Sequence, residues 1–260
     1  NGAQDRDRDR ILNSDGTVKT TGAFVVGDIF QAVLEFDSIQ HIDPDAIDPT
    51  TGQIIHDTRI TSPGLFAYSE VKILSITQAT VTLPDGSGGF ITVPLVGVMD
   101  VVFGAADHLS SNMIDLYEGV PSSDIFNMTA ALAIAEVQAM DLVSTFDVVS
   151  SDDFWTARIS ESVEGLALKL STDILSAGNF GLTMTSNPGD LNLLEQAITG
   201  STDKIHDIIG KSSVTAAAGN GWLVATDTKT YFRTVPEPSS LVLLGIAALL
   251  GGITQRFRKA

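Results

Sequence analysis

The 260-residue chain has no cysteine, which excludes disulfides, thiol catalysis, iron–sulfur clusters and cysteine-based zinc sites together. Positive charge is scarce. Fifteen Lys and Arg stand against 32 Asp and Glu, a formal charge of −17 and the wrong sign for a broad nucleic-acid footprint. Nucleic acid is therefore not an expected partner. Histidine is sparse too: His41, His56, His108 and His206 form no HExxH, no H-x-H and no i, i+4 pair, so a zinc enzyme lacks its usual local ligands. No G-x-S-x-G elbow occurs. Asp107-His108 with Ser110 and Ser111 has the residue types of a hydrolytic triad, but neighbours on a strand point to opposite faces, so they read as surface polar residues. Gly86-Ser87-Gly88-Gly89 has no following Lys and reads as a hairpin turn, not a phosphate cradle. The expectation is a protein that is not an enzyme and needs no cofactor.

Apolar residues, at 43% of the chain, suffice for one large core, and charged residues at 18% are too few for a disordered polyelectrolyte. The dominant pattern has period two. Phe30, Ala32, Leu34 and Phe36 alternate with Gln31, Val33, Glu35 and Asp37, as a strand with one apolar face requires. The same alternation places Val71 and Ile73, Val81 and Leu83, Trp155 to Ile159, Leu166 to Leu170, and Phe180 to Met184 on strands. Apolar runs at 96–103 and 222–225 add buried strands, for about eight to eleven in all. Turn chemistry at Asp15-Gly16, Pro63-Gly64, Pro84 to Gly89 and Gly219-Asn220-Gly221 separates them.

Three helices interrupt the strands. Phe126, Ala130, Ala133, Ile134, Val137 and Met140 share one helical face behind Asp124 as N-cap. A second helix is predicted from Asn187-Pro188 through Leu191, Leu194 and Ile198 to Gly200, and a third from Thr202 to Ile209 before Gly210. The fold class that follows is mainly β: an antiparallel β-sandwich or jelly-roll-like domain with about three inserted helices.

Two clusters invite chemistry. Asp43, Asp45 and Asp48, between Pro44 and Pro49, gather three carboxylates on a stiffened loop that could collect a hard cation, making calcium the one candidate metal. Prolines also simply rigidify exposed loops. Asp152-Asp153-Phe154-Trp155 sets acids beside aromatics, as a sugar-binding cleft does, although a strand entering the core at Trp155 explains it equally.

The two ends are the most informative. Asn1 in place of Met predicts a removed export signal. Asp5 to Arg10 alternates charges with nothing apolar to bury, which predicts a solvated arm over 1–22; Asp5, Asp7 and Asp9 copy three EF-hand offsets without the required Gly and Glu. At the other end, Pro236, Glu237 and Pro238 form a stiff extended stalk. An uncharged run of thirteen residues follows, with Leu241, Val242, Leu243, Leu244, Ile246, Leu249, Leu250 and Ile253 as its apolar body. Arg256, Arg258 and Lys259 end it as a basic stop that favours the cytoplasmic side. The run is short for a bilayer core, which needs roughly 20 apolar residues, so long basic side chains must snorkel to the interface.

This tripeptide, apolar helix and basic end resemble the PEP-CTERM sorting signal of bacteria. The resemblance covers 235–260 and implies export, transient retention in the inner membrane, and recognition near the tripeptide by an exosortase-type sorting enzyme. It also implies an extracellular or outer-surface destination, often beside exopolysaccharide. A mainly-β extracellular domain then occupies 23–234. The expected function is a structural or interaction protein of the envelope or biofilm matrix, acting by self-association or adhesion to other envelope or matrix proteins or to exopolysaccharide. Two other readings are open: a membrane-anchored accessory subunit of a larger complex, and a secreted carbohydrate-binding or carbohydrate-active protein.

Overall fold

Period-two alternation is met by edge-to-edge pairing in the computed structural model, which describes residues 6–36, 39–47, 54–60, 64–167, 177–189, 193–194, 196–197, 205–231 and 233–234. The elements in chain order are β1 (Arg6–Leu12), β2 (Ile29–Glu35), β3 (Ile39–Ile47), β4 (Ile54–Ile60), β5 (Leu65–Pro84), β6 (Phe90–Ala105), β7 (Ile114–Glu118), α1 (Ala130–Gln138), β8 (Asp141–Asp147), β9 (Phe154–Ser160), α2 (Val163–Ala167) and β10 (Ala177–Ser186). After them come β11 (Leu193–Leu194), β12 (Gln196–Ala197), β13 (Ile205–His206), β14 (Ile208–Ala217), β15 (Val224–Tyr231) and β16 (Arg233–Thr234).

Ten strands form one antiparallel sheet in the order β14-β15-β1-β2-β5-β6-β9-β10-β8-β7. Further pairings, β10 with β14 and β5 with β7, close it partly into a ring. A continuous circuit runs β1-β2-β5-β6-β9-β10-β14-β15 and back to β1. The β7–β8 pair spans the same gap between β5 and β10 that β6 and β9 span further along. The mainly-β expectation holds, in the form of a curled sheet with an inside and an outside. Closure pairs residues that would otherwise stand as open edges.

Each strand sends alternate residues inward. Phe30, Ala32, Leu34 and Phe36 of β2 and its exit face Ala67 and Val71 of β5, Phe103 of β6, Trp155 and Ile159 of β9 and Phe180 of β10 around one apolar core. Trp155 and Phe180 stack with centroids 4.7 Å apart, and Phe180 lies over Gly210 on the paired strand, where a Cβ would overlap its ring. Outward residues of β2 and β5 make a second core: Val33, Phe66 and Tyr68 lie under Ala130, Ala133, Ile134 and Val137 of α1. That is the face predicted for the first helix, and Asp124 caps a short 3₁₀ turn, Ile125–Asn127, just before it.

Four expectations are corrected. The charged arm is not solvated over Arg6–Leu12, which forms β1 and pairs with both β2 and β15. Only two short helices are present among the described residues. The predicted helix at 187–200 gives way to the two-residue strands β11 and β12, and that at 202–209 to β13 and the start of β14, because pairing with β10, β15 and β16 outweighs local apolar spacing. Leu166 lies in α2, not on a strand, and plugs the core with 2% exposure. The tail from 235 onward lies outside the described residues, as does Asp48.

Candidate functional site

β1 carries the least expected chemistry. Its period-two alternation is one of charge sign: Asp7 and Asp9 join Ile11 on the inner face, while Arg8 and Arg10 stay outside. The two carboxyls line a mostly apolar cavity of about 100 Å³ inside the ring, walled by Phe30, Leu34, Trp155, Phe180 and their neighbours. No Lys, Arg or His stands among the lining residues described.

Threonines of the adjacent strand supply the polar contacts. The Thr228 hydroxyl donates to Asp7 Oδ2 at 2.6 Å and the Thr226 hydroxyl to Asp9 Oδ2 at 2.7 Å. Asp7 is only 2% exposed, and its Oδ1 has no hydrogen-bond partner. Burial pushes its carboxyl up to about 6 against the lowering effect of both threonines and Arg8. Burial and then the charge of Asp7 push Asp9 well above the usual carboxylate range. Asp9 lines the same cavity. Asp7 and Asp9 lie two apart on one strand, not on a cation loop, so the EF-hand offsets do not assemble.

A second carboxylate is buried on the outer face. Glu70 accepts the Tyr68 hydroxyl at 2.5 Å and the Gln31 amide at 2.6 Å on one oxygen. Its other oxygen accepts the backbone N–H groups of His108, Leu109 and Ser110 at 2.8–3.3 Å. Burial acts to raise this carboxyl, but the hydrogen bonds overcome it and hold it below the usual range. The Asp107-His108-Ser110 stretch thus latches a loop to the sheet, with the His108 ring partly exposed.

A third pair is Asp153 and His206. Asp153 Oδ1 lies 3.0 Å from His206 Nδ1 and accepts the Thr183 hydroxyl; Oδ2 accepts the N–H groups of Val149 and Ser150. Burial raises Asp153 but these bonds lower it further. His206 packs edge-on to Phe154 and against Gly181, leaving no room for a side chain there. Trp155 turns into the core, so the acid-aromatic run is a strand entering the interior and presents no exposed platform.

Sequence reasoning missed Asp7, Asp9, Glu70 and the Asp153–His206 pair. The signal for β1 was present as the sign alternation itself; nothing local marks Glu70 or His206. Of the predicted cation ligands, Asp43 and Asp45 lie on β3, which pairs with β4, and Asp48 is outside the described residues. Among the described residues no group of three or more His, Asp or Glu is placed to hold a metal. Asp85 accepts the N–H groups of Ser87 and Gly89, closing the β5–β6 turn as expected.

Pro236, Glu237, Pro238, the run from Leu241 to Ile253 and the basic stop Arg256, Arg258 and Lys259 all lie outside the described residues. Their sequence decides the matter: residues 234–259 match the PEP-CTERM protein-sorting motif. The chain carries a PEP-CTERM sorting signal. PEP-CTERM tails direct export, processing by an exosortase and sorting to the bacterial cell surface. The match covers the tail alone, and comparison with curated proteins and with solved structures gives no match. Among the described residues no helix is long and apolar enough to cross a membrane.

Proposed function

We propose that this exosortase-sorted protein works at the cell surface as a non-catalytic association module of the envelope or matrix, and that copies of it meet through the β5–β6 hairpin. One observation carries the reading. Beyond Gln78 on β5 and before Val98 on β6, the two strands pair only with each other among the described residues, so the hairpin stands out from the ring as an arm. It leaves the ring at an irregular step in register between Gln78 and Thr80, where Gly97 takes φ +75° and the Gln78 amide donates to the carbonyls of Leu95 and Val98. Phe90 is 73% and Val96 94% exposed, with Leu83 and Ile91 beside them.

Charge selects the occupant. The stretch 73–99 holds one charged residue, Asp85, in a chain of net −17. Two copies repel wherever their acidic surfaces approach, and the arm is where apolar contact proceeds without that repulsion. The arm's own Pro84 and Pro94 blunt continuous strand addition, so the contact is one of side-chain faces. Before sorting, the tail keeps the ring at the inner membrane; after it, the arm acts at the surface.

The test is sedimentation of the full chain, in detergent, over a wide concentration range. The wild type should associate reversibly, and Phe90→Ser combined with Val96→Ser should leave the melting curve unchanged but weaken association. A monomer at every concentration, or a double variant that associates as the wild type does, overturns the reading. Co-purification with integral-membrane proteins as a fixed assembly would favour the accessory-subunit alternative instead.

A further inference from the structure

We propose that the interior of the ring is a binding site for a small organic cation, a primary alkyl- or arylammonium ion whose charged end meets Asp7 and whose apolar body lies among Phe30, Trp155 and Phe180. The inference is independent of the arm. Protein interiors are close-packed, and an apolar cavity of the order of 150 Å³ is known to take up a ligand the size of benzene. The cavity here, about 100 Å³, suits a body of a few carbon atoms. Its wall is mostly apolar; the polar lining is Asp7, Asp9, the threonines of β15 and the flanking Ser69 and Ser212, and its only acids are Asp7 and Asp9.

Asp7 Oδ1 identifies what that polar lining accepts. It is a buried acceptor without a hydrogen-bond partner, on a residue that lines the cavity. Leaving such an oxygen unpaired costs stability, and a ligand donor restores the missing bond. The Thr228 hydroxyl already spends its proton on Oδ2, and Thr226 spends its own on Asp9. Arg8 points away, with its guanidinium 5.2 Å from the Phe126 ring centroid on the outer face. Negative charge on the pair therefore has no counter-charge inside, and a charged donor satisfies both the orphaned oxygen and the field. An ammonium forms the charge-assisted bond that a neutral alcohol does not, and aromatic faces attract the same cation. A divalent metal fits poorly, since calcium takes six to eight oxygen ligands and most of this wall is carbon.

The experiment titrates n-butylammonium chloride into the full-length chain in detergent at neutral pH, with potassium chloride and 1-butanol as controls. Calorimetry and tryptophan fluorescence read binding, since Trp155 lines the cavity. Butylammonium should bind saturably and perturb the emission, with 1-butanol weaker by about tenfold or more. Asp7→Asn should lower butylammonium affinity by a similar factor while circular dichroism shows the fold retained. Ala157→Leu, which fills the cavity and leaves both carboxyls in place, should also abolish binding. The proposal is overturned if butylammonium gives no saturable signal, if 1-butanol binds equally well, or if either folded variant binds as the wild type does. The wild-type comparison of ammonium with alcohol decides the matter even where a variant fails to fold.

Discussion

Asp7 and Glu70 are two carboxyls that the fold buries to almost the same extent, 2% and 0% exposed, on opposite faces of one sheet. They titrate in opposite directions. Glu70 receives two side-chain donors and three backbone N–H groups, enough to stabilise its charge against the loss of water. Asp7 receives the Thr228 hydroxyl on one oxygen, with lesser help from Thr226 and Arg8, and burial prevails. The difference shows that exposure alone does not set the charge of a buried acid; the count of donors aimed at it does. On the outside this arrangement latches a loop. On the inside it leaves an acceptor unfilled.

Substitutions that remove each charge should therefore act with opposite sign. The largest effect is expected for Glu70→Gln, which turns an amide toward groups that donate to the carboxylate and should cost about 2–4 kcal/mol, read as a lower urea midpoint. An unchanged midpoint would erase the contrast between the two sites. Asp7→Asn should instead gain about 1–2 kcal/mol at pH 8. The sign follows from a carboxyl raised to about 6 in the folded chain: the stability it contributes is complete below pH 3.8 and is lost as pH rises through about 6. The variant's advantage should thus vanish near pH 3.5, which is measurable by denaturation at the two pH values.

The wild type should combine both trends. Glu70, lowered from 4.5, contributes stability that is present above that value and lost as pH falls through its folded pKa. Thermal stability should rise from pH 8 to about 5 as Asp7 and Asp9 protonate, then fall below about 4. A flat curve across the upper range would show that the inner carboxyls stay ionised in the folded chain as they are in the unfolded one. The smallest effect is expected for Thr228→Val, which removes the 2.6 Å hydroxyl bond to Asp7 and should cost about 1 kcal/mol at pH 8 and less near pH 4.

Much of the ring is written in period two. The alternations at 30–36, 155–159 and 180–184 specify strands because each buries one face against a common core, and the observed β2, β9 and β10 fall there. The face of α1 was equally plain from Ala130, Ala133, Ile134 and Val137. The sorting tail is legible for a different reason: an exosortase reads it as a linear sequence, so its information is local. β1 was hidden because its inward residues are aspartates, and burying a charged group contradicts the usual association of alternation with apolar residues. The 187–209 region misled because its leucine and isoleucine spacing fits a helix, whereas the deciding contacts come from pairing with β10 and β15. Glu70 looks like any solvent-facing acid of a strand until the loop at 108–110 folds over it.

Closure of the ring joins sequence extremes: the hydroxyl of Thr226 meets Asp9 across 217 positions. Nearly the whole chain must be available before β15 can settle beside β1. Contacts of such separation are slow to form, since a long loop must be ordered before they reward it. Until that moment the inner aspartates stand in water and are ionised at neutral pH; the sealing step is what desolvates them. Folding therefore finishes with an event that takes up protons, and mild acid should hasten the last stage of assembly while leaving the early hairpins untouched.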